Sequence, residues 1–506
     1  MTGPAGAPLR GRLYYGWVLV GALALTETVS YGVLTYAFPV VLTPMQAELG
    51  WPQATLTGAF SLAALAAGVC AVPVGRWVDR YGPRAVMTLG SAGAALLVAA
   101  WSRVEDPAAL YAVWLGLGAC MAAVLYEPAF AVVAAWFRRH RGRALTAVTL
   151  AAGLASTIFV PLTTWLVVER GWRSAVLWLA VLLAVLTVAP HAVLLRRRPA
   201  DLGLEVDGAP PPETPGAAPA PEPWVPARAA VRSRSFRWLT AAFFLSTLAN
   251  FAVTVHLVPL LLQRGHGLGL AGAAMAALGL AKLPGRLLLT PLAERWTTPV
   301  ATIAVFGVQL VGLLALAGLP GSAGVWVFAV LFGAGDGAST PARAGIVADL
   351  FGPREYGRIS GVLALFLALA RAAAPVGASL ARSAGGGYGA VLWLLGGALA
   401  AAGLAMRRAD RGAEALRPFR GRHVYLYEGD DTLHSQETEM TTQTQTPSRD
   451  LLEETRRILT GSVQPQAAGT ASTCCSTAKQ EVCCEPSEKS SCCGPEATSG
   501  GGCGCQ

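Results

Sequence analysis

The chain has 506 residues, of which 54% are hydrophobic and only 14% are charged, and its formal net charge is +9. Soluble domains carry about 25% charged residues, so this composition excludes an ordinary soluble protein. The positive charge is spread over short segments between apolar runs, which favours membrane topology over nucleic-acid binding as its cause.

The apolar residues form long runs, and a bilayer core about 30 Å thick is crossed by roughly 20 helical residues. Backbone groups in lipid must pair within their own segment, so the runs predict helices. We predict an all-α membrane protein of twelve transmembrane helices in two pseudo-symmetric six-helix halves. The expected spans are 15–42, 53–74, 84–102, 108–136, 142–167 and 173–195, then 236–262, 270–292, 300–319, 323–349, 357–381 and 386–406. The first run is too long for a signal peptide.

Composition divides the rest of the chain into polar segments. The part between the two sets of spans is rich in Pro and Ala, which is typical of a flexible or extended linker. The part after the last span is low in apolar residues, which predicts disorder. The predicted regions are a cytoplasmic N-terminus 1–14, a first half 15–195, a cytoplasmic linker 196–235, a second half 236–406 and a tail 407–506.

Arginines predict the orientation in the membrane. They cluster before the first span and after the second, fourth, sixth and twelfth spans, for example at 138–143, 196–198 and 407–411, and are scattered in the opposite loops. Cytoplasmic loops carry such an excess, so both termini are expected in the cytoplasm of a multi-pass protein of the inner (plasma) membrane.

Two acidic residues lie within the first six spans. Glu27 is near the middle of the first span, and Glu127 precedes Pro128 in the fourth, where a proline is expected to kink the helix. Ionisable groups at bilayer depth are costly, which makes both carboxyls candidates for substrate or proton coupling, with Tyr126 as a cavity hydroxyl. The alternative is a carboxylate permanently paired with arginine.

Lys282 and Arg286 lie four residues apart in the eighth span and so share one helix face. Lys282 is the only lysine before residue 479. Two adjacent cations that face a cavity would attract a small anion, and a guanidinium suits a carboxylate or oxyanion. The alternative is structural pairing with Glu27 or Glu127.

The seventh, tenth and eleventh spans contain four further ionisable residues. Asp336 and Arg343, seven residues apart in the tenth span, are expected to form a structural pair. Arg371 in the eleventh span is a further candidate for substrate contact. For His256 in the seventh span, a hydrogen-bonded core histidine is favoured over a proton relay.

The segment "GRWVDRYGPR", from Gly75 to Arg84, resembles the signature loop of the major facilitator superfamily, and "PLAERW" after the eighth span is a weaker echo of it. The resemblance implies two six-helix halves that rock around a midplane cavity. It also implies a gating loop that contacts neighbouring spans and not the substrate. The residues of this loop are Gly75, Asp79, Arg80, Gly82 and Arg84.

Within that superfamily, "YYGWVLV" and "WFRRHRGRALTAVTLAAGLA" resemble two signatures of the monocarboxylate transporter branch and its oxalate/formate antiporter-like relatives. The resemblance implies an Asp and an Arg four apart in the eighth span, which bind the substrate carboxylate and a proton. Lys282 stands where the acid is expected and Arg286 matches the arginine. The lysine argues against simple proton–monocarboxylate symport.

Eight of the ten cysteines lie within residues 474–505, mostly as adjacent pairs repeated every nine residues. Thiolates select soft ions, so the tail is a candidate site for As(III), Sb(III), Cu(I) or Zn, and it is similar to the vicinal-cysteine ends of arsenic-handling proteins. Functionless low complexity and a redox-sensitive or palmitoylated tail are the alternatives. The candidate ligands are Cys474, Cys475, Cys483, Cys484, Cys492, Cys493, Cys503 and Cys505.

These features predict a secondary transporter of a small anion, not an enzyme, with no required cofactor and with protons and a cytosolic metal(loid) donor as candidate partners. One hypothesis is metal or arsenic efflux in which the tail captures the ion. A second is a monocarboxylate-type organic anion transporter with a regulatory tail. A third is a metal buffer or sensor on a transport-inactive body.

Overall fold

The computed structural model describes residues 14–209, 224–385 and 387–414. This described part consists of helices joined by short turns and contains no strand. The cysteine-rich segment 474–505 lies outside it.

The first half contains six membrane crossings. The stretch Arg141–Leu194 has 54 residues, about 80 Å as one helix, which is far longer than a bilayer core. Gly171 breaks it with φ 75° and ψ 159°, so the stretch crosses twice. The helices are α1 Tyr15–Leu49, α2 Gln53–Tyr81, α3 Pro83–Trp101, α4 Pro107–Trp136, α5 141–170 and α6 172–194.

The second half repeats this arrangement with six further helices. They are α7 Arg234–Gln263, α8 Leu268–Arg295, α9 Thr298–Gly318, α10 Gly321–Phe351, α11 Tyr356–Ala384 and α12 Tyr388–Glu414. A short helix, Ala227–Arg232, precedes α7. For the described residues, the prediction of an all-α protein with twelve crossings is confirmed.

Two crossings of the first half are locally irregular next to candidate site residues. In α1 a π-helical turn, Gly32–Tyr36, follows the turn that carries Glu27. In α4 the helix is interrupted at Leu125, with φ −89° and ψ −165°. Pro128 has no N–H to donate to a carbonyl four residues earlier, which accounts for a break at this point. The break makes Tyr126 and Glu127 the first residues of a new helical segment.

The hydrophobic core shows where the halves meet. One buried cluster combines Phe130 and Trp136 of the first half with Phe306 and Phe351 of the second. It lies at the end of the molecule where α2, α4 and α10 end, here called the arginine-rich end. The two other clusters of the described residues each belong to a single half. The halves therefore share a core at the arginine-rich end and have separate cores towards the opposite end.

Candidate functional site

Two ion pairs lie among the helices at the centre of the bundle. Lys282 Nζ is 2.8 Å from Asp336 Oδ2, which joins α8 to α10 within the second half. Arg343 Nη2 is 3.3 Å from Glu127 Oε1, which joins α10 to α4 across the two halves. The expected pairing of Asp336 with Arg343 is therefore wrong. Seven residues advance about 10 Å along a helix, so the two side chains reach different neighbouring helices.

Glycines explain the close approach of α8 to α10. A Cβ on Gly337 would overlap the backbone of Lys282, and a Cβ on Gly285 would overlap the backbone carbonyl of Ala334. Small residues at a helix interface let two backbones approach. This contact brings the Lys282 side chain within reach of Asp336.

Arg286 is almost buried, with 9% of its surface exposed. Its Nη1 donates to the backbone carbonyl of Thr149 on α5, so it connects the two halves. Its Nε has no hydrogen-bond partner among the described residues. Within the described part of the chain, neither Arg286 nor Lys282 forms an ion pair with Glu27 or Glu127, the pairing considered from the sequence.

Arg371 is the cation of the site that faces open space. Its side chain is exposed, although Glu127, Asp336, Arg343 and Tyr31 lie near enough to influence it electrostatically. Its Cζ lies 5.6 Å from the centre of the Phe251 ring. Among the described residues no carboxylate lies within ion-pair distance of it. The guanidinium therefore lies near the central charged residues and keeps its donors available.

Glu27 has the opposite environment. It is fully buried, and both carboxyl oxygens lack a hydrogen-bond partner in the described part of the chain. Glu127 lies close enough to interact with it electrostatically. The neighbouring rings of Tyr31 and Tyr126 are 4.7 Å apart. The structure thus brings Glu27, Tyr126 and Glu127, three residues singled out in the sequence, into one region.

The segment expected to be a gating loop is mostly helical. The helix α2 continues through Tyr81, only Gly82 with φ 86° separates it from α3, and Arg84 already belongs to α3. Arg84 Nε donates to the carbonyl of Ala192 on α6 at 2.6 Å, within the first half. Arg80 lies over the Tyr81 ring at 5.2 Å.

Asp79 is the residue of this segment that bonds to the second half. Its carboxylate accepts hydrogen bonds from the backbone N–H groups of Gly357, at 2.9 Å, and Arg358, at 2.7 Å. These are the first residues of α11, where helical N–H groups lack partners and attract negative charge. Gly75 packs directly against the backbone of Gly357, where a Cβ would not fit. These contacts hold the halves together at the arginine-rich end.

The family model of the Major Facilitator Superfamily matches residues 23–375. The chain belongs to the major facilitator superfamily. It is 29% identical to "Monocarboxylate transporter 11" of Homo sapiens over 420 residues, which are 79% of this chain and 83% of that protein. It is 26% identical to the "Oxalate:formate antiporter" of Oxalobacter formigenes over 190 residues, or 37% and 43% of the two chains.

The crystal structure of the superfamily transporter FucP, in the outward conformation, superposes with a TM-score of 0.62. The match covers 78% of this chain and 99% of FucP at 12% identity. At that identity the match bears on the fold alone. The family model confirms the superfamily resemblance drawn from the Gly75–Arg84 segment, and the two relatives given above are named as transporters.

Two histidines of this superfamily member are hydrogen-bonded inside the bundle. His256 is half-buried and lies 3.1 Å from the Tyr388 hydroxyl and 3.1 Å from the Pro375 carbonyl, so it has the expected hydrogen bonds but is not fully in the core. His191, which the sequence analysis did not single out, is fully buried, and its Nδ1 lies 2.8 Å from Ser91 Oγ. An ionisable residue inside the sixth apolar run would have been enough to single it out from the sequence.

The eight candidate metal ligands of the tail, Cys474 to Cys505, lie outside the described residues. Within the described ranges, no group of three or more His, Cys, Asp or Glu side chains is arranged to hold a metal ion. The thiol hypothesis therefore continues to depend on the sequence.

Proposed function

We propose that this chain is a secondary transporter that moves a small organic anion by alternating access. The observation that carries the proposal is Arg371, an exposed guanidinium between the helices with no carboxylate partner among the described residues. A free guanidinium can bind a carboxylate through two parallel hydrogen bonds, so anion binding requires no ion pair to break first. The relatives named for monocarboxylates and for oxalate and formate favour the same class of substrate.

The pair Lys282–Asp336 supplies a second, exchangeable contact. Both side chains are partly exposed, at 33% and 24%. A substrate oxygen held by Arg371 can compete with Asp336 for the Lys282 ammonium, because the competing groups are both carboxylates. We infer that Asp336, on α10, provides the acid that the related transporters are expected to carry on α8.

Glu27 is the candidate for proton coupling. An unpaired carboxylate inside a protein is costly to keep charged, so a carboxyl without partners is suited to bind and release a proton during transport. Its proximity to Glu127, which holds the cross-half pair with Arg343, would link that proton to the arrangement of the halves.

We further propose that the arginine-rich end faces the cytoplasm of a plasma-membrane protein. Arg76, Arg80, Arg197 and Arg354 gather at this end, in agreement with the excess of positive charge in cytoplasmic loops. The shared core at this end would then describe a transporter closed to the cytoplasm.

The experiment is uptake of labelled small carboxylates, including lactate, oxalate and formate, into proteoliposomes. Arg371→Gln should lower uptake about tenfold or more, because a charge-assisted hydrogen bond contributes about 1.5–3 kcal/mol. The matched control is Arg382→Gln, since Arg382 lies on the same helix and also stacks on an aromatic ring, that of Tyr388 at 4.7 Å. Equal uptake by both variants would exclude Arg371 as the anion site.

The second candidate function is metal or metalloid efflux. It is favoured by the three Cys-Cys pairs spaced nine residues apart and by the terminal Cys503 and Cys505. We propose that these thiols bind a soft ion such as As(III), Sb(III), Cu(I) or Zn delivered by a cytosolic donor. Deleting residues 470–506 should then lower resistance to arsenite or antimonite and leave carboxylate uptake unchanged. If Arg371→Gln abolished carboxylate uptake and left resistance to arsenite or antimonite intact, the tail would act as a buffer that binds the ion without transport.

A further inference from the structure

A cavity of about 850 Å³ lies at the arginine-rich end, where the first half meets the second. Its wall carries six arginines and two carboxylates, those of Asp79 and Glu355. Two of the arginines lie on α2, two directly follow α6, one precedes α11 and one lies in the first turn of α11. The arginines are Arg76, Arg80, Arg197, Arg198, Arg354 and Arg358.

The two carboxylates are already engaged by backbone donors. Asp79 accepts from the N–H groups of Gly357 and Arg358, and Glu355 accepts from the N–H of Ala227. Within the described ranges, none of the six arginines has a carboxylate within ion-pair distance. The cavity therefore carries a net positive charge that the protein around it does not neutralise by direct pairing.

The arginines are also close enough to repel one another. Burial, followed by the neighbouring charges of Arg197 and Arg354, lowers the pKa of Arg198. Arg354 lies 5.0 Å from the centre of the Trp224 ring, which holds its guanidinium at the cavity wall. An anion placed among these groups would reduce the repulsion and would contact both halves at once.

A second cavity, of about 350 Å³, adjoins the first and shares with it Asp79, Arg197, Arg198, Trp224 and Arg354. Apart from Glu205, its remaining wall is largely apolar and includes Val78, Pro83, Ala131, Val132 and Leu204. A basic cavity beside an apolar one matches an amphiphile with a phosphate at one end.

The surface next to these cavities has the character of a membrane interface. Trp77 is 44% exposed and Tyr81 is 60% exposed, and their rings lie 5.1 Å apart at the end of α2. Exposed Trp and Tyr are typical of the headgroup level of a bilayer. Arg76 and Arg80 alternate with these rings along the same helix end, so the basic cavity lies at the depth of lipid phosphates.

We propose that the basic cavity binds the phosphate headgroup of an anionic phospholipid from the leaflet at the arginine-rich end. The phosphate is held by arginines of both halves, and bound lipid thereby stabilises the contact between Asp79 and the start of α11. Basic pockets on this side of membrane proteins suit such headgroups, and each arginine adds to the attraction.

The test is the thermal stability of the full chain in nanodiscs of phosphatidylcholine, with and without 20% phosphatidylglycerol. Phosphatidylglycerol should raise the Tm of the wild type. The double variant Arg198→Gln/Arg354→Gln should bind the lipid about thirtyfold more weakly and show little or no Tm shift at 20% phosphatidylglycerol, since the two lost arginines together remove about 2 kcal/mol of attraction. The Tm shift of each variant is measured relative to the same variant in phosphatidylcholine alone, so a change in its intrinsic stability does not affect the comparison.

The matched control is Arg407→Gln/Arg408→Gln, which removes two exposed arginines near the end of α12. Arg408 stacks on Trp238 at 4.8 Å, much as Arg354 stacks on Trp224. This control should keep the wild-type response. An equal loss in both double variants, or no loss in either, would overturn the site. A full shift produced by inorganic phosphate in phosphatidylcholine nanodiscs would overturn the lipid as its source.

Discussion

Charged residues within the bundle differ mainly in whether a partner lies within reach. Lys282 with Asp336 and Arg343 with Glu127 form ion pairs, whereas Arg371 and Glu27 have no charged partner in contact among the described residues. Arg371 borders open space and Glu27 is fully buried. An exposed cation suits a substrate that arrives from water, and a buried carboxyl suits a proton.

Replacing Glu27 with Gln should separate transport from the proton gradient. The amide keeps the shape of the side chain and cannot exchange a proton. We expect uptake driven by an imposed pH gradient to fall about tenfold or more, because a coupling step that needs this proton is lost. Exchange of labelled for unlabelled substrate, which needs no net proton movement, should remain. Glu105→Gln, on an exposed loop, is the control. Unchanged gradient-driven uptake in Glu27→Gln would exclude this carboxyl.

The Lys282–Asp336 pair should be sensitive to charge in a way that a packing contact is not. Asp336→Asn leaves the ammonium without its partner, and we expect a loss of roughly 1 kcal/mol in stability because the pair is partly exposed. The exchange Lys282→Asp/Asp336→Lys should recover the stability and not the uptake. Thermal unfolding and carboxylate uptake, measured on the same preparations, test both parts. Unchanged stability in Asp336→Asn would show that the pair does not matter for folding, and failure of the exchange to recover a loss would show that charge alone does not govern the contact.

The sequence predicted most of these residues and few of their partners. Costly ionisable groups stand out in an apolar run, which is why Glu27, Lys282 and Arg371 were found. The rotation of one helix against the next decides which of them meet, and spacing along the chain does not contain that information. Asp336 and Arg343 illustrate this, because their shared helix suggested a pair and neighbouring helices supplied other partners.

Individual helices approach one another through glycine. On α8, Gly285 faces the backbone of α10 at Ala334, whereas Gly279 on the same helix has open space beside it. We expect Gly285→Ala to lower stability by about 1–3 kcal/mol, the usual effect of overpacking, and to widen the Lys282–Asp336 contact. Gly279→Ala should leave the melting temperature unchanged or raise it, since alanine favours a helix. Thermal unfolding of the two variants side by side decides this, and an equal effect in both would contradict close packing at Gly285.

Helix number and approximate position followed directly from apolar runs, since bilayer thickness fixes the length of a span. Helix ends did not. The predicted second span stopped at residue 74, whereas α2 continues through Tyr81, because polar residues can extend a helix beyond the hydrocarbon. The break at Leu125 was anticipated from Pro128, which lacks the donor that a continuous helix needs.

The two halves meet through one shared core, and the contacts of α2 with α11 lie beside it. Gly357 on α11 is one of the tight points of this contact, because a Cβ there would come within 2.7 Å of the Gly75 carbonyl oxygen and 2.9 Å of Asp79 Oδ1. Alternating access requires the halves to separate at this end when the cavity opens to it. A larger side chain at this point should therefore shift the population towards the state that is open at the arginine-rich end.

Gly357→Val tests this directly, with Gly377→Val as the control on the same helix, where open space surrounds the added atoms. The reporter is a cysteine at Leu365 in a background without the ten native cysteines, labelled by an impermeant thiol reagent from the arginine-rich face. We expect labelling to be about tenfold faster in Gly357→Val, which corresponds to a shift of about 1.4 kcal/mol between the two states. Equal labelling rates in the two variants would mean that this contact does not limit separation of the halves. The hydrogen bonds of Asp79 to the N–H groups of Gly357 and Arg358 would then be the contact that holds the halves together.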